Sequence, residues 1–151
     1  ILSTGGNAVD AAVAGALVLA VTYPEAGNVG GGGFMLTCVD GTAQFLDYRE
    51  TAPAAATRDM YLDARGEVIA GLSLTGHRAV GVPGTVAGLW EAHRRYGRLP
   101  WRDVVEPAVQ LAQRGFQVPP LLAERATAEQ PRFERGLGAS RGAAPVGEIV
   151  L

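Results

Sequence analysis

The chain has 151 residues, of which 48% are hydrophobic and 19% charged, with a formal net charge of −2. That balance excludes a disordered segment and leaves no electrostatic reason to expect nucleic acid or anionic lipid as a partner. The length is one domain's worth of material. A single cysteine, Cys38, excludes an internal disulfide and a cysteine metal cluster. Set in the apolar run Phe34 to Val39, it reads as a buried, inert thiol. Ile1 at one end and the strand-like Val146 to Leu151 at the other both read as cuts. The chain is therefore expected to be a partial segment, 1–151, of a longer protein truncated at both ends.

In chain order, the strongest element is a helix over Asn7 to Tyr23. Asn7 caps it and Asp10, three residues on, completes a capping-box-like start. Beyond Asp10 the residues are apolar all round, so burial on every face is expected. The stretch is too short, and too rich in Ala and Gly, to serve as a membrane span. Pro24 ends it. The run Gly27-Asn28-Val29-Gly30-Gly31-Gly32-Gly33 comes next. Strands over Phe34 to Val39 and Ala43 to Tyr48 follow, joined by Asp40-Gly41, a strong hairpin signal. The first strand is mostly apolar, as a strand covered on both faces would be.

Residues 54 to 82 read as irregular, with a helical turn at Asp59 to Leu62 and a tight turn at Asp63 to Gly66. Helices are predicted over Gly84 to Tyr96, over Trp101 to Arg114 with Pro107 inside it, and more weakly over Pro120 to Gln130. There is no internal repeat and no low-complexity linker.

Few residues offer chemistry. The glycine run opens into a strand, whereas a phosphate loop opens into a helix whose N-terminus faces the anion. Its expected role is close backbone approach, or lining a pocket for another segment. His93 lies beside Arg94 and Arg95 and reads as part of a solvated helix face. His77 sits in a polar loop. No serine nucleophile elbow and no zinc-ligand spacing is present, so no metal is expected. Arg49 stands apart. It ends a strand just before a break, where functional residues are common. Its guanidinium suits bidentate capture of a carboxylate. An ion pair with Glu50, Asp47 or another acid is the competing role, and composition alone favours that pair. Arg94, Arg95, Arg114 and Arg125 read as solvated helix charges.

Five segments in register then resemble the γ-glutamyltransferase family. They are Gly5-Gly6-Asn7-Ala8-Val9-Asp10-Ala11-Ala12, Gly27 to Phe34, Asp47-Tyr48-Arg49-Glu50-Thr51-Ala52-Pro53, Val82-Pro83-Gly84-Thr85-Val86-Ala87-Gly88, and Tyr96-Gly97-Arg98-Leu99-Pro100-Trp101. The resemblance covers residue 4 to about 118 and weakens beyond Pro120. It implies an α+β fold, here a fragment of the N-terminal-nucleophile hydrolase αββα sandwich in which helices enclose two stacked sheets. It further implies a precursor that cleaves itself into two subunits, this chain being part of the large one. The nucleophile is then the new N-terminal Thr of the small subunit, with its own amine as base. No catalytic residue is expected in this chain, since Thr4, Thr51 and Thr85 are not termini freed by processing. The implied donor is a γ-glutamyl compound such as glutathione, and the acceptor is water or an amino acid. No cofactor or metal is implied. The implied partner is the small subunit, and the implied location is periplasmic or extracellular. Arg49 matches the family's arginine that clamps the donor's α-carboxylate, which reverses the reading from composition. Alternatives within the fold are a cephalosporin or glutaryl acylase, a poly-γ-glutamate-processing enzyme, and a non-catalytic scaffold.

Overall fold

A computed structural model describes residues 1–139 of the chain. They form two compact units. One comprises Ile1–Pro53 with Gly81–Gln117, the other Ala54–Val80 with the segment from Val118 on.

The first unit is built on helix α1, Ala8–Thr22. The capping box is present. The Asn7 side chain accepts from the Val9 and Asp10 N–H groups at 3.0 Å, and Asp10 accepts the Asn7 N–H at 2.9 Å. Asn7 also donates to the Tyr96 carbonyl at 2.6 Å, tying the start of α1 to a distant helix end. Helices α2, Thr85–Tyr96, and α3, Trp101–Arg114, pack on α1. The shared core is Val9, Val13, Ala14 and Leu17 from α1, Leu89 and Ala92 from α2, and Val104 and Ala108 from α3. Only this stripe of α1 is buried. The side carrying Ala12, Gly15 and Leu19 is open, contrary to burial on all faces. The reason is the number of neighbours: α2, α3 and one hairpin face do not surround a helix. Among the described residues no helix is long and apolar enough to cross a membrane.

Strands β1, Phe34–Val39, and β2, Thr42–Asp47, form an antiparallel hairpin with Val39 opposite Thr42 and Phe34 opposite Asp47. Asp40 (φ 50°) and Gly41 (φ 75°) make the turn, both in the left-handed region that a two-residue hairpin loop demands. β2 therefore begins and ends one residue earlier than Ala43 to Tyr48. Met35 and Leu46 pack against the helical core. On the other face Phe34 is 55% exposed and Leu36 75%, and Phe34 stacks on Phe45 at 5.9 Å. β1 is thus covered on one face only. Alternation puts Cys38 on the same side as Phe34 and Leu36, so the thiol is exposed and not buried.

His93 also departs from expectation. It lies four residues after Leu89 on the inward stripe of α2 and is only 9% exposed. Its Nε2 is 2.8 Å from the Leu99 carbonyl, and its ring meets Trp101 at 5.1 Å between centroids. Arg94 and Arg95 do lie outward, where both grip Glu91. Hydrogen bonds from the two guanidinium groups hold the Glu91 carboxyl down at about 2.

In the second unit, residues 54–80 are largely irregular, as expected. Leu62 N–H closes a turn on Asp59 at 3.0 Å. Asp63 caps the next turn by accepting the Arg65 and Glu67 N–H groups at 2.8 and 3.0 Å. The Tyr61 hydroxyl donates to the Arg78 carbonyl at 3.0 Å. Helix α4, Pro120–Ala139, runs through Pro131, well past the expected end at Gln130.

Candidate functional site

Arg49 follows β2 directly, and segments far apart in sequence hold its backbone. Gly33 and Tyr48 exchange two hydrogen bonds, at 3.3 and 3.0 Å, extending the hairpin by one pair. On the other side of the break, Thr51 and Val82 form a bridge with hydrogen bonds of 3.3 and 2.8 Å. The Gly31 carbonyl accepts the Gly84 and Thr85 N–H groups at 2.9 and 3.0 Å, satisfying donors that the start of α2 would otherwise leave orphaned. Residues 48–51 therefore run with the glycine run against them and the Val82-Pro83-Gly84 entry to α2 alongside.

The glycines are there because the backbones nearly touch. A β-carbon at position 32 would come within 2.6 Å of the Glu50 nitrogen and 2.7 Å of the Tyr48 oxygen. One at position 84 would collide outright with the Tyr48 carbonyl. The expected role of the glycine run, close backbone approach, is what the structure shows.

The Arg49 side chain is exposed. Its own N–H donates to Asp47 Oδ1 at 3.0 Å, so Asp47 serves the backbone. Among the described residues no acid forms an ion pair with the guanidinium, neither Asp47 nor Glu50. A fork of donors on a pinned backbone, without an internal counter-charge, can bind a carboxylate from outside.

Of the remaining candidates, none in the first unit joins this site. His77 is an exposed residue of a short 3-10 turn, His77–Ala79. His93 and Asp10 belong to the helical core. Among the described residues no cluster of His, Cys, Asp and Glu could hold a metal ion. A groove of about 420 Å³ lies between the start of α1 and β1, lined by Ala8, Ala12, Met35, Thr37 and Asp40 among others; it does not include Arg49. Sequence reasoning missed Tyr48, whose ring packs on Gly33 and Gly88. The available signal was Gly84 and Gly88, spaced to share one face of α2.

The family described as gamma-glutamyltranspeptidase matches residues 1–148 of the chain. The chain belongs to the γ-glutamyltranspeptidase family. It is 66% identical over 118 residues to the glutathione hydrolase proenzyme of Pseudomonas aeruginosa, an alignment covering 78% of this chain and 21% of that protein. It is 55% identical over 125 residues to the glutathione hydrolase proenzyme of Escherichia coli K12, covering 82% and 22%. It superposes with a TM-score of 0.83 and 56% identity on the γ-glutamyltranspeptidase from Pseudomonas nitroreducens solved in complex with L-DON, covering 98% of this chain and 45% of that one. The chain thus spans about a fifth of the length of these curated relatives. The expected fold class holds: this α+β piece has the γ-glutamyltranspeptidase fold, a part of the N-terminal-nucleophile hydrolase sandwich.

Proposed function

We propose that this chain is a large-subunit segment of a γ-glutamyltranspeptidase that hydrolyses or transfers the γ-glutamyl group of glutathione and related compounds, with Arg49 as the clamp for the donor's α-carboxylate. The observation that carries the role of Arg49 is its unpaired guanidinium on a backbone fixed from both sides. The donor arrives as a zwitterion, and its carboxylate needs a matched charge when it leaves water. Bidentate binding there fixes one end of the acyl group. The γ-carbonyl is thereby presented at a constant distance to a nucleophile supplied from elsewhere.

That nucleophile is the N-terminal Thr of a small subunit released from the same precursor. Its hydroxyl attacks the γ-carbonyl, its α-amine takes the proton, and the amine of the leaving group departs. Water or an amino acid then attacks the acyl-Thr ester. Two relatives named glutathione hydrolase proenzyme support both the substrate and the processing. A periplasmic or extracellular location is part of the same proposal and rests on the family resemblance alone.

The test is turnover by the full-length precursor with three anilides: γ-glutamyl, glutaryl, and 4-aminobutyryl, which lacks the α-carboxylate. The γ-glutamyl compound is expected to be hydrolysed fastest, after the precursor has split into two bands on a denaturing gel. A preference for the glutaryl compound would make the protein an acylase, and absence of cleavage and of turnover would make it a scaffold.

A further inference from the structure

The residue before Arg49 is held more tightly than the arginine itself. The Tyr48 main chain pairs with Gly33 in both directions, and its carbonyl packs against Gly32 and Gly84. Its ring lies in a slot. A β-carbon at Gly33 would stand 3.0 Å from Cε2 and 3.3 Å from Oη, and one at the buried Gly88 would overlap Cβ and Cγ. The hydroxyl has no hydrogen-bond partner among the described residues, and burial pushes its pKa up, so it stays neutral. The shape of the ring is therefore what the slot uses, not its polar tip.

We propose that Tyr48 is a positioning residue for substrate recognition: its ring, wedged between Gly33 and Gly88, sets the course of the main chain at residue 49 and so the place where the guanidinium meets the donor's carboxylate. The inference rests on Arg49 being that clamp. It predicts that specificity for the α-carboxylate depends on Gly88, a buried residue of α2 packed against the Tyr48 ring.

The experiment compares Tyr48→Phe, Tyr48→Leu, Gly88→Ala and Arg49→Ala in the full-length precursor. Subunit cleavage and far-ultraviolet circular dichroism report folding, and KM and kcat are measured with the γ-glutamyl and 4-aminobutyryl anilides. Tyr48→Phe is expected to stay within about twofold of the parent on both donors. Tyr48→Leu and Gly88→Ala are expected to raise KM for the γ-glutamyl donor by about fivefold or more, with kcat and the carboxylate-free donor changed by less than about twofold. Equal losses on both donors in these two variants, with Arg49→Ala still selective, would overturn the role of Tyr48 and leave the clamp standing. A non-selective Arg49→Ala would remove the clamp itself. A loss in Tyr48→Phe as large as in Tyr48→Leu would assign the effect to the hydroxyl and overturn the wedge. Should Gly88→Ala fail to fold, Gly33→Ala presses on the ring edge more mildly and decides in the same way. Tyr48→Trp likewise replaces Tyr48→Leu, and an unchanged donor preference in both replacements would overturn the proposal.

Discussion

Asp10 and Arg98, 88 residues apart, are joined through the Arg98 N–H, which donates to both oxygens of the Asp10 carboxylate at 3.1 and 3.0 Å. The same carboxylate takes the N–H groups of Asn7 and Leu99. One fully buried charge therefore caps α1 and anchors the α2–α3 connection at once.

This arrangement makes stability depend on acid. Burial works against the Asp10 charge, but the N–H groups of Asn7, Arg98 and Leu99, with His93 3.6 Å away, outweigh it and hold the carboxyl below its ordinary 3.8. A lowered pKa in the folded state means that the unfolded chain takes up the proton first as pH falls. The stabilisation is complete above that ordinary value and is lost below it, as pH drops through the folded value. Asp10→Ala is expected to cost about 2–4 kcal/mol in the full-length protein at neutral pH, since it strands several buried donors. Urea titrations across pH 3–7 check this, and the variant should lose part of the parent's acid-dependent limb.

Arg49→Ala should lower kcat/KM on a γ-glutamyl anilide by about thirtyfold to several thousandfold, the cost of about 2–5 kcal/mol for unpairing a desolvated charge. Arg49→Lys should recover only part, because an ammonium keeps the charge but not the fork. Subunit cleavage on a gel should be unaffected. A loss below about fivefold, or equal losses on the carboxylate-free donor, would show Arg49 to be a surface charge without a role in recognition.

His93 and its neighbours should separate sharply in thermal or urea unfolding. His93→Ala is expected to destabilise the full-length protein by about 2–4 kcal/mol, from the lost ring against Trp101 and the unpaired Leu99 carbonyl. Arg94→Ala, one residue on and exposed, should change stability little.

The 151-residue chain alone should show no γ-glutamyl hydrolase activity, because the proposed nucleophile lies outside it. It should also self-associate and bind an apolar dye, since Phe45, 64% exposed, continues the apolar surface of Phe34 and Leu36. Turnover by pure material would contradict the first expectation, and a sharp thermal transition from a soluble monomer the second.

The local features were legible in the sequence because each needs only its own neighbours. The Asn7–Asp10 box set the start of α1, and Asp40-Gly41 set the hairpin turn. Arg49 could be singled out by residue type and position at a strand end, and the family motifs around it supplied a role. Burial was not legible in the same way. Within this chain Cys38 is exposed and His93 buried, the reverse of what their sequence surroundings suggest, because exposure depends on which distant segments arrive. β1 received cover on one face only, and α2 turned His93 inward onto Asp10. Likewise the four-glycine run announced a close approach without naming its partner. Only the tertiary structure decided that Tyr48 and Glu50 fill that space, since a backbone contact between Gly32 and Glu50 leaves no pattern in either segment alone.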